Sequence, residues 1–167
     1  MSNDATFTST CDLCDQYKSD DSGAFRVLPP VYTDYGGRSR FHGLVSTVRC
    51  LEDNSRVKEA VNEPGLGRVL VVDGGGNLRR SLVGGLLAAA AARNGWAGIV
   101  VHGAVRDKLE LQACDLGLKA MALTPMPTDR KDQGQRDVAI QLDGTWVRPG
   151  DWLVADEDGI VITLAKT

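Results

Sequence analysis

The stretch "RVLVVDGGGNLRRSLVGGLLAAAAARNGWAGIVVH", residues 68–102, decides the architecture. Its two ends, "RVLVVD" (68–73) and "GIVVH" (98–102), are continuous apolar runs next to glycine, the pattern of strands covered on both faces. Between them, "LLAAAAARNGW" closes on Asn94-Gly95, a natural helix C-terminus. Small apolar residues on most of its sides predict a helix lying close against a sheet. Strand, helix, strand makes a βαβ unit with a right-handed crossover. "LKAMALTP" (118–125) supplies a third such strand.

Upstream, "GLVSTVRC" (43–50) is β-rich, and "SRVKEAVNE" (55–63) is a short helix capped by Asp53 or Asn54 and stopped by Pro64. The turn-rich "SGAFRVLPP" and "YGGRSRFHG" read as a loop lying against the body. "STCDLCDQY" (9–17) starts a helix, with Ser9 and Asp12 spaced as a capping box and Leu13 and Tyr17 on one face. Downstream, "PTDRKDQGQRD" (127–137) is an exposed loop. The tail then places short β-rich runs around Asp143-Gly144, Pro149-Gly150 and Asp158-Gly159, a closing β-meander. The expectation is one α/β domain over 1–167, with residues 1–9 as a flexible N-terminus.

The totals exclude several classes. The length of 167 residues suits one hydrophobic core. A net charge of −3 provides no basic face for nucleic acid. No run approaches the roughly 18 apolar residues that span a bilayer, and the first residues lack a signal-peptide pattern, so a cytoplasmic, membrane-free protein is expected. Cys11 and Cys14 form a CxxC without a second ligand pair and read as packing residues. His42 and His102 read as core or surface residues, and no serine-nucleophile motif is present.

Two constellations bear on chemistry. "VLVVDGGGN" is a strand followed by glycines, yet neither a phosphate loop nor a dinucleotide fingerprint follows; sharp turning and close approach to a neighbour explain it better. "SLVGGLLAAAA" is more informative. If a helix starts near Gly84, the amides of Gly84, Gly85, Leu86 and Leu87 are unpaired donors at the positive end of its dipole, and the glycines let a carboxylate come close. Ligands of parallel sheets collect at the carboxyl ends of strands, so "HGAVRD" brings Arg106 and Asp107 to the same edge. Arg106 offers a fork for a carboxylate or keto oxygen. Asp107 is a hard oxygen ligand suited to magnesium or manganese. The set suits enolate chemistry.

"YGGRSRFHG", "GRVLVVDGGGNLRRSLVGG", "NGWAGIVVHGAVRD" and "PGDWLVADEDGIVI" together resemble the regulator of ribonuclease activity A (RraA) or 4-hydroxy-4-methyl-2-oxoglutarate aldolase-like family over residues 10–164. The resemblance implies a swivelling β/β/α fold and a homotrimer. It also implies one of two roles. The family's aldolases cleave 4-hydroxy-4-methyl-2-oxoglutarate to two pyruvates and decarboxylate oxaloacetate with a divalent metal. Their motif is aspartate, twenty residues, Arg-Asp. Here Gly85 stands at the aspartate position, which instead resembles a second active subgroup carrying glycine, twenty residues, Arg-Asp, two residues, Glu: Gly85, Arg106, Asp107 and Glu110. By that likeness Arg106, Asp107 and Glu110 are the catalytic residues, Asp107 the metal ligand, and Gly84 to Leu87 with Arg106 the substrate-binding groups. The family's regulator, which binds an RNA-degrading endonuclease and its helicases, lacks the acid after the arginine. Asp107 tilts the expectation to the enzyme. A methyltransferase acting on a quinone precursor, resting on the glycine loop alone, is a third reading.

Overall fold

The computed structural model describes residues 7–165. Its core is a run of parallel strands: β3 (Phe41–Arg49), β4 (Val69–Asp73), β6 (Gly98–Val105) and β7 (Gly117–Leu123) lie side by side in that order. Parallel neighbours need crossovers. Helices α2 (Ser55–Val61), α3 (Gly85–Arg93) and α4 (Lys108–Ala113) supply them. On one flank β11 (Trp152–Asp156) pairs antiparallel with β3, followed by β12 (Gly159–Thr163) and β1 (Arg26–Val27). On the other, β2 (Thr33–Asp34) closes against β7.

Alternation along β4 shows why its sequence is apolar throughout. Leu70 and Val72 enter a core with the helices, through Val57, Ala60, Ala88 and Ala91, whereas Val69 and Val71 enter a second core on the opposite face. That second core is covered by a separate two-stranded sheet, β9 (Ile140–Leu142) with β10 (Thr145–Val147). Ala88 and Ala91 are fully buried, so the alanine helix does lie close to the sheet. The α/β class and the central strand-helix-strand unit are borne out.

Several boundaries differ. The expected meander is two hairpins in different sheets, because β9–β10 folds over the second core while β11–β12 joins the main sheet. The strand expected from residue 43 begins at Phe41, and "SLV" forms a strand of its own, β5 (Ser81–Val83). β4 stops level with His102, and β5 pairs with β6 beyond that point, at Ala104 and Val105. β7 holds the other flank of β6. β5 therefore continues the slot that β4 vacates, and β6 runs on to Val105.

At the N-terminus α1 (Thr10–Tyr17) has Ser9 as its cap, the hydroxyl accepting from Asp12 N at 3.1 Å. Of the segment expected to be flexible, 1–6 lies outside the described residues. Phe7 packs against the small cluster of Leu13, Val154 and Val161. Cys14 packs there too, but Cys11 is exposed beside Asp158, so only one thiol of the pair serves packing. Among the described residues no helix is long and apolar enough to cross a membrane.

Candidate active site

β5 delivers the chain to Gly84, which is extended (φ −120°, ψ −171°) and caps α3. β6 ends at Val105, Arg106 N donates to Val83 O at 3.0 Å, and this bond locks the two strand ends together. The next residue, Asp107, is left-handed (φ 65°, ψ 49°). For a residue with a Cβ this conformation costs roughly 1–2 kcal/mol, and aspartate is among the few that adopt it routinely. It turns the chain from β6 into α4 and sends the carboxylate back to α3, where Asp107 Oδ2 accepts the Gly85 amide at 2.9 Å.

The expected convergence of Gly84 and Gly85 with Arg106 and Asp107 is therefore present within one chain. One detail is corrected. The four amides were expected to await a ligand's carboxylate, but Gly85 N–H is committed to Asp107, because the protein's own carboxylate reaches the positive helix end first. Of the other three, Gly84 N belongs to the cap residue, and Leu86 and Leu87 supply first-turn amides that have no acceptor within a helix.

A side chain at either glycine would press on the acids and arginine of the corner. A Cβ at Gly84 would come within 2.8 Å of Asp107 Oδ2 and 3.3 Å of Arg106 Nε. A Cβ at Gly85 would overlap Glu110 Oε2 and lie 2.8 Å from Glu110 Cδ. Glu110, in the first turn of α4, thus holds its carboxylate in the space that a side chain at 85 would fill. Arg106 is tethered by Nη1 to Pro125 O at 3.3 Å, and its Nε stands 3.9 Å from Asp107 Oδ2. Arg106 and Asp107 remain about two-fifths exposed, so both can reach a solute.

The donor set suits a hard cation. Asp107 spends one oxygen on Gly85 and Glu110 adds a second carboxylate, while no group of three or more His, Cys, Asp or Glu forms a metal cage among the described residues. One or two carboxylates with the remaining positions left to water and substrate is the way magnesium is usually bound.

Sequence reasoning missed the supports. Asn54 is buried, donating from Nδ2 to Leu82 O (2.9 Å) and accepting from Thr128 Oγ1 (2.8 Å) and Arg130 Nε (3.0 Å). Asp53 accepts from Lys131 N (2.7 Å), Gln133 N (3.3 Å) and Ser55. Burial alone would favour its neutral acid; these hydrogen bonds outweigh that and hold the carboxyl below the usual range. Together they pin the charged loop 128–133 to β5, the strand that leads to Gly84. Asp53 and Asn54 were visible only as alternative helix caps.

The glycine loop is no phosphate cradle. Gly74 N and Gly76 N both donate to His102 O, and Gly75 N to Asp73 Oδ1. His102 is buried, its Nδ1 2.7 Å from Tyr32 Oη and its Nε2 3.3 Å from Asp143 Oδ1.

A parallel-core α/β domain, with a helix N-terminus facing an Arg-Asp corner and a glutamate, is the class that fold and site define. The chain belongs to the RraA-like (Aldolase/RraA) family, whose model matches residues 10–162. A protein of Albidiferax ferrireducens named "Putative 4-hydroxy-4-methyl-2-oxoglutarate aldolase" is 58% identical over 95% of this chain and 96% of its own length. One of Alkalilimnicola ehrlichii with the same name is 53% identical over 92% of each. Among solved structures, that described as the RNA-processing inhibitor RraA from Thermus thermophilis superposes with a TM-score of 0.90 at 44% identity, covering 97% of this chain and 96% of that one. A Geobacillus kaustophilus protein described as an S-adenosylmethionine:2-dimethylmenaquinone methyltransferase gives 0.89 at 36% identity, over 95% and 96%. Relatives of one fold thus carry three descriptions.

Proposed function

We propose that this protein is a divalent-metal-dependent lyase that cleaves 4-hydroxy-4-methyl-2-oxoglutarate to two pyruvates and, as a second activity, decarboxylates oxaloacetate. The observation that carries the reading is the bond from Gly85 N–H to Asp107 Oδ2 with the Glu110 carboxylate beside it. It gathers two acids, an arginine and helix amides on one open corner.

Asp107, with Glu110 near it, would hold Mg²⁺ or Mn²⁺, which when bound supplies Lewis-acid polarisation of a 2-oxo acid. The chain's own groups do the rest. The Leu86 and Leu87 amides hold the substrate's C1 carboxylate, with Arg106 over the C2 oxygen, where negative charge grows as the C3–C4 bond breaks. A donor so placed is typically worth about 3 kcal/mol. Glu110 accepts the C4 hydroxyl proton, directly or through water. As that bond breaks, C4 becomes the keto carbon of one pyruvate and C1 to C3 become the enolate of the second, which takes a proton on C3, returned from Glu110 or its water, to become pyruvate. Oxaloacetate loses carbon dioxide to the same enolate, so one set of groups serves both reactions.

The apolar rim of the corner, Leu86 and Leu109, is more than three-quarters exposed and suits coverage by a neighbouring subunit of a homotrimer in the cytoplasm. The likeness to the Thermus inhibitor favours a second reading, a regulator that binds an RNA-degrading endonuclease and its helicases. Pure protein with magnesium or manganese is expected to release pyruvate from both substrates, and chelator to stop it. No turnover on either, with capture of purified endonuclease or helicase, would favour the regulator. The methyltransferase reading loses its motif, since the glycine loop spends its amides on His102 and Asp73.

A further inference from the structure

On the opposite flank of the sheet from that corner, beside β3, β11 and β12, α1 borders a cavity of about 510 Å³. Small-molecule sites commonly measure about 300–1,000 Å³. Five rings form its walls. Tyr17 and Phe25 stack with centroids 5.2 Å apart, and His42 lies 5.8 Å from Phe7 and 5.1 Å from Trp152. Among the described residues Leu13, Val154 and Val161 form the buried cluster beneath, and Phe7, Phe25 and Trp152 pack against it while staying partly open to the cavity.

Among the described lining residues Asp20 is the only acid, and none is lysine or arginine. Arg40, whose guanidinium stands 5.9 Å from the Phe7 ring, is paired with Glu157. Asp20 is fixed in place: Oδ1 accepts Ser22 N at 3.2 Å, and Oδ2 accepts Ser22 Oγ at 3.0 Å and Phe25 N at 3.2 Å. These bonds, led by that from the Ser22 side chain, hold its carboxyl below the usual range and keep it ionised.

We propose that this cavity binds an organic cation with a compact aromatic body, of the aryl quaternary ammonium type. The faces of aromatic rings attract a cation as water is excluded. A single carboxylate at the edge selects positive charge, and aromatic walls accept the flat remainder. An anionic ligand would meet Asp20 with no lysine or arginine among the described lining residues to offset it. The site shares no residue with the corner of Gly85 and Asp107, so it stands apart from the lyase reading.

Phenyltrimethylammonium and its neutral isostere tert-butylbenzene separate charge from shape. Trp96 and Trp146 lie under Arg68 and Arg148, outside the cavity, so Trp152 is the local reporter. The cation is expected to change tryptophan fluorescence saturably and to bind roughly tenfold tighter than the isostere. Asp20→Asn should remove that advantage and leave isostere binding unaltered. Trp152→Phe should abolish the optical change while calorimetry still records binding. Equal affinity for the two probes, no saturable binding of the cation, insensitivity to Asp20→Asn, or an optical change that survives Trp152→Phe would each overturn the assignment.

Discussion

Gly85→Ala separates what Glu110 does from what it merely touches. A Cβ at 85 would overlap Glu110 Oε2 and lie 2.8 Å from its Cδ and 2.9 Å from its Cβ. Carbon atoms rest at about 3.5 Å or more, so both must retreat by at least roughly 0.6 Å, and the carboxylate oxygen must go further. The backbone raises no objection, because Gly85 is helical and outside the positive-φ residues. Alanine is the better helix former by up to about 1 kcal/mol, and Glu110 lies at the surface where it can swing away. Thermal stability should stay within a few degrees of the parent. Activity should not: a catalytic group moved by about 1 Å costs on the order of a hundredfold. Steady-state kinetics of pyruvate release should show a fall in kcat of roughly ten- to a hundredfold. Gly85→Asp combined with Glu110→Ala, which returns an acid to the same space from the other helix, should recover a good part of it. If Gly85→Ala turns over like the parent while its fold is intact, Glu110 is a bystander and its assigned role in proton transfer is wrong.

Three further outcomes rest on other parts of the molecule. Gly84→Ala presses on Asp107 Oδ2 and Arg106 Nε, so it should weaken manganese binding and raise KM together, read by calorimetry and kinetics. Lys119, 4% exposed, is paired with Asp34 at 3.0 Å; Asp34→Ala strands a buried ammonium and should cost about 3–5 kcal/mol in urea unfolding, whereas replacing both partners, Lys119→Met with Asp34→Leu, should be close to neutral. Asp156 is buried, which alone would favour its neutral form, but hydrogen bonds from Thr10 Oγ1 (2.6 Å), Thr10 N (2.8 Å), Asp158 N and Gly159 outweigh burial and depress its pKa. A depressed acid stabilises fully above its unfolded value of about 3.9 and ceases to as pH falls through the lower folded value. Hydrogen exchange should therefore show α1 loosening in that acid range, and Asp156→Asn should loosen α1 already at neutral pH and abolish this acid-dependent step.

The parts legible in the sequence were those in which local pattern and burial agree. Residues 69–73 and 98–101 are apolar on both faces of the strand, which only a sheet covered twice would need, and the alanines of α3 announce close packing. The corner itself followed from a topological rule: once the strands are parallel, the start of α3 and the end of β6 share an edge. β5 was hidden because three residues carry no periodicity and its pairing to Ala104 and Val105 depends on where β4 stops. Asn54 was hidden because its three partners come from β5 and a loop more than seventy residues away. The capture of the Gly85 amide by Asp107 was hidden in the backbone: a left-handed aspartate looks like any other in one-letter code.

The most direct test measures manganese binding and pyruvate release side by side for the parent and Asp107→Ala. The substitution is expected to remove both, with turnover down at least a hundredfold and the fold preserved by circular dichroism. Metal-dependent turnover at the parent's rate in Asp107→Ala would contradict this expectation.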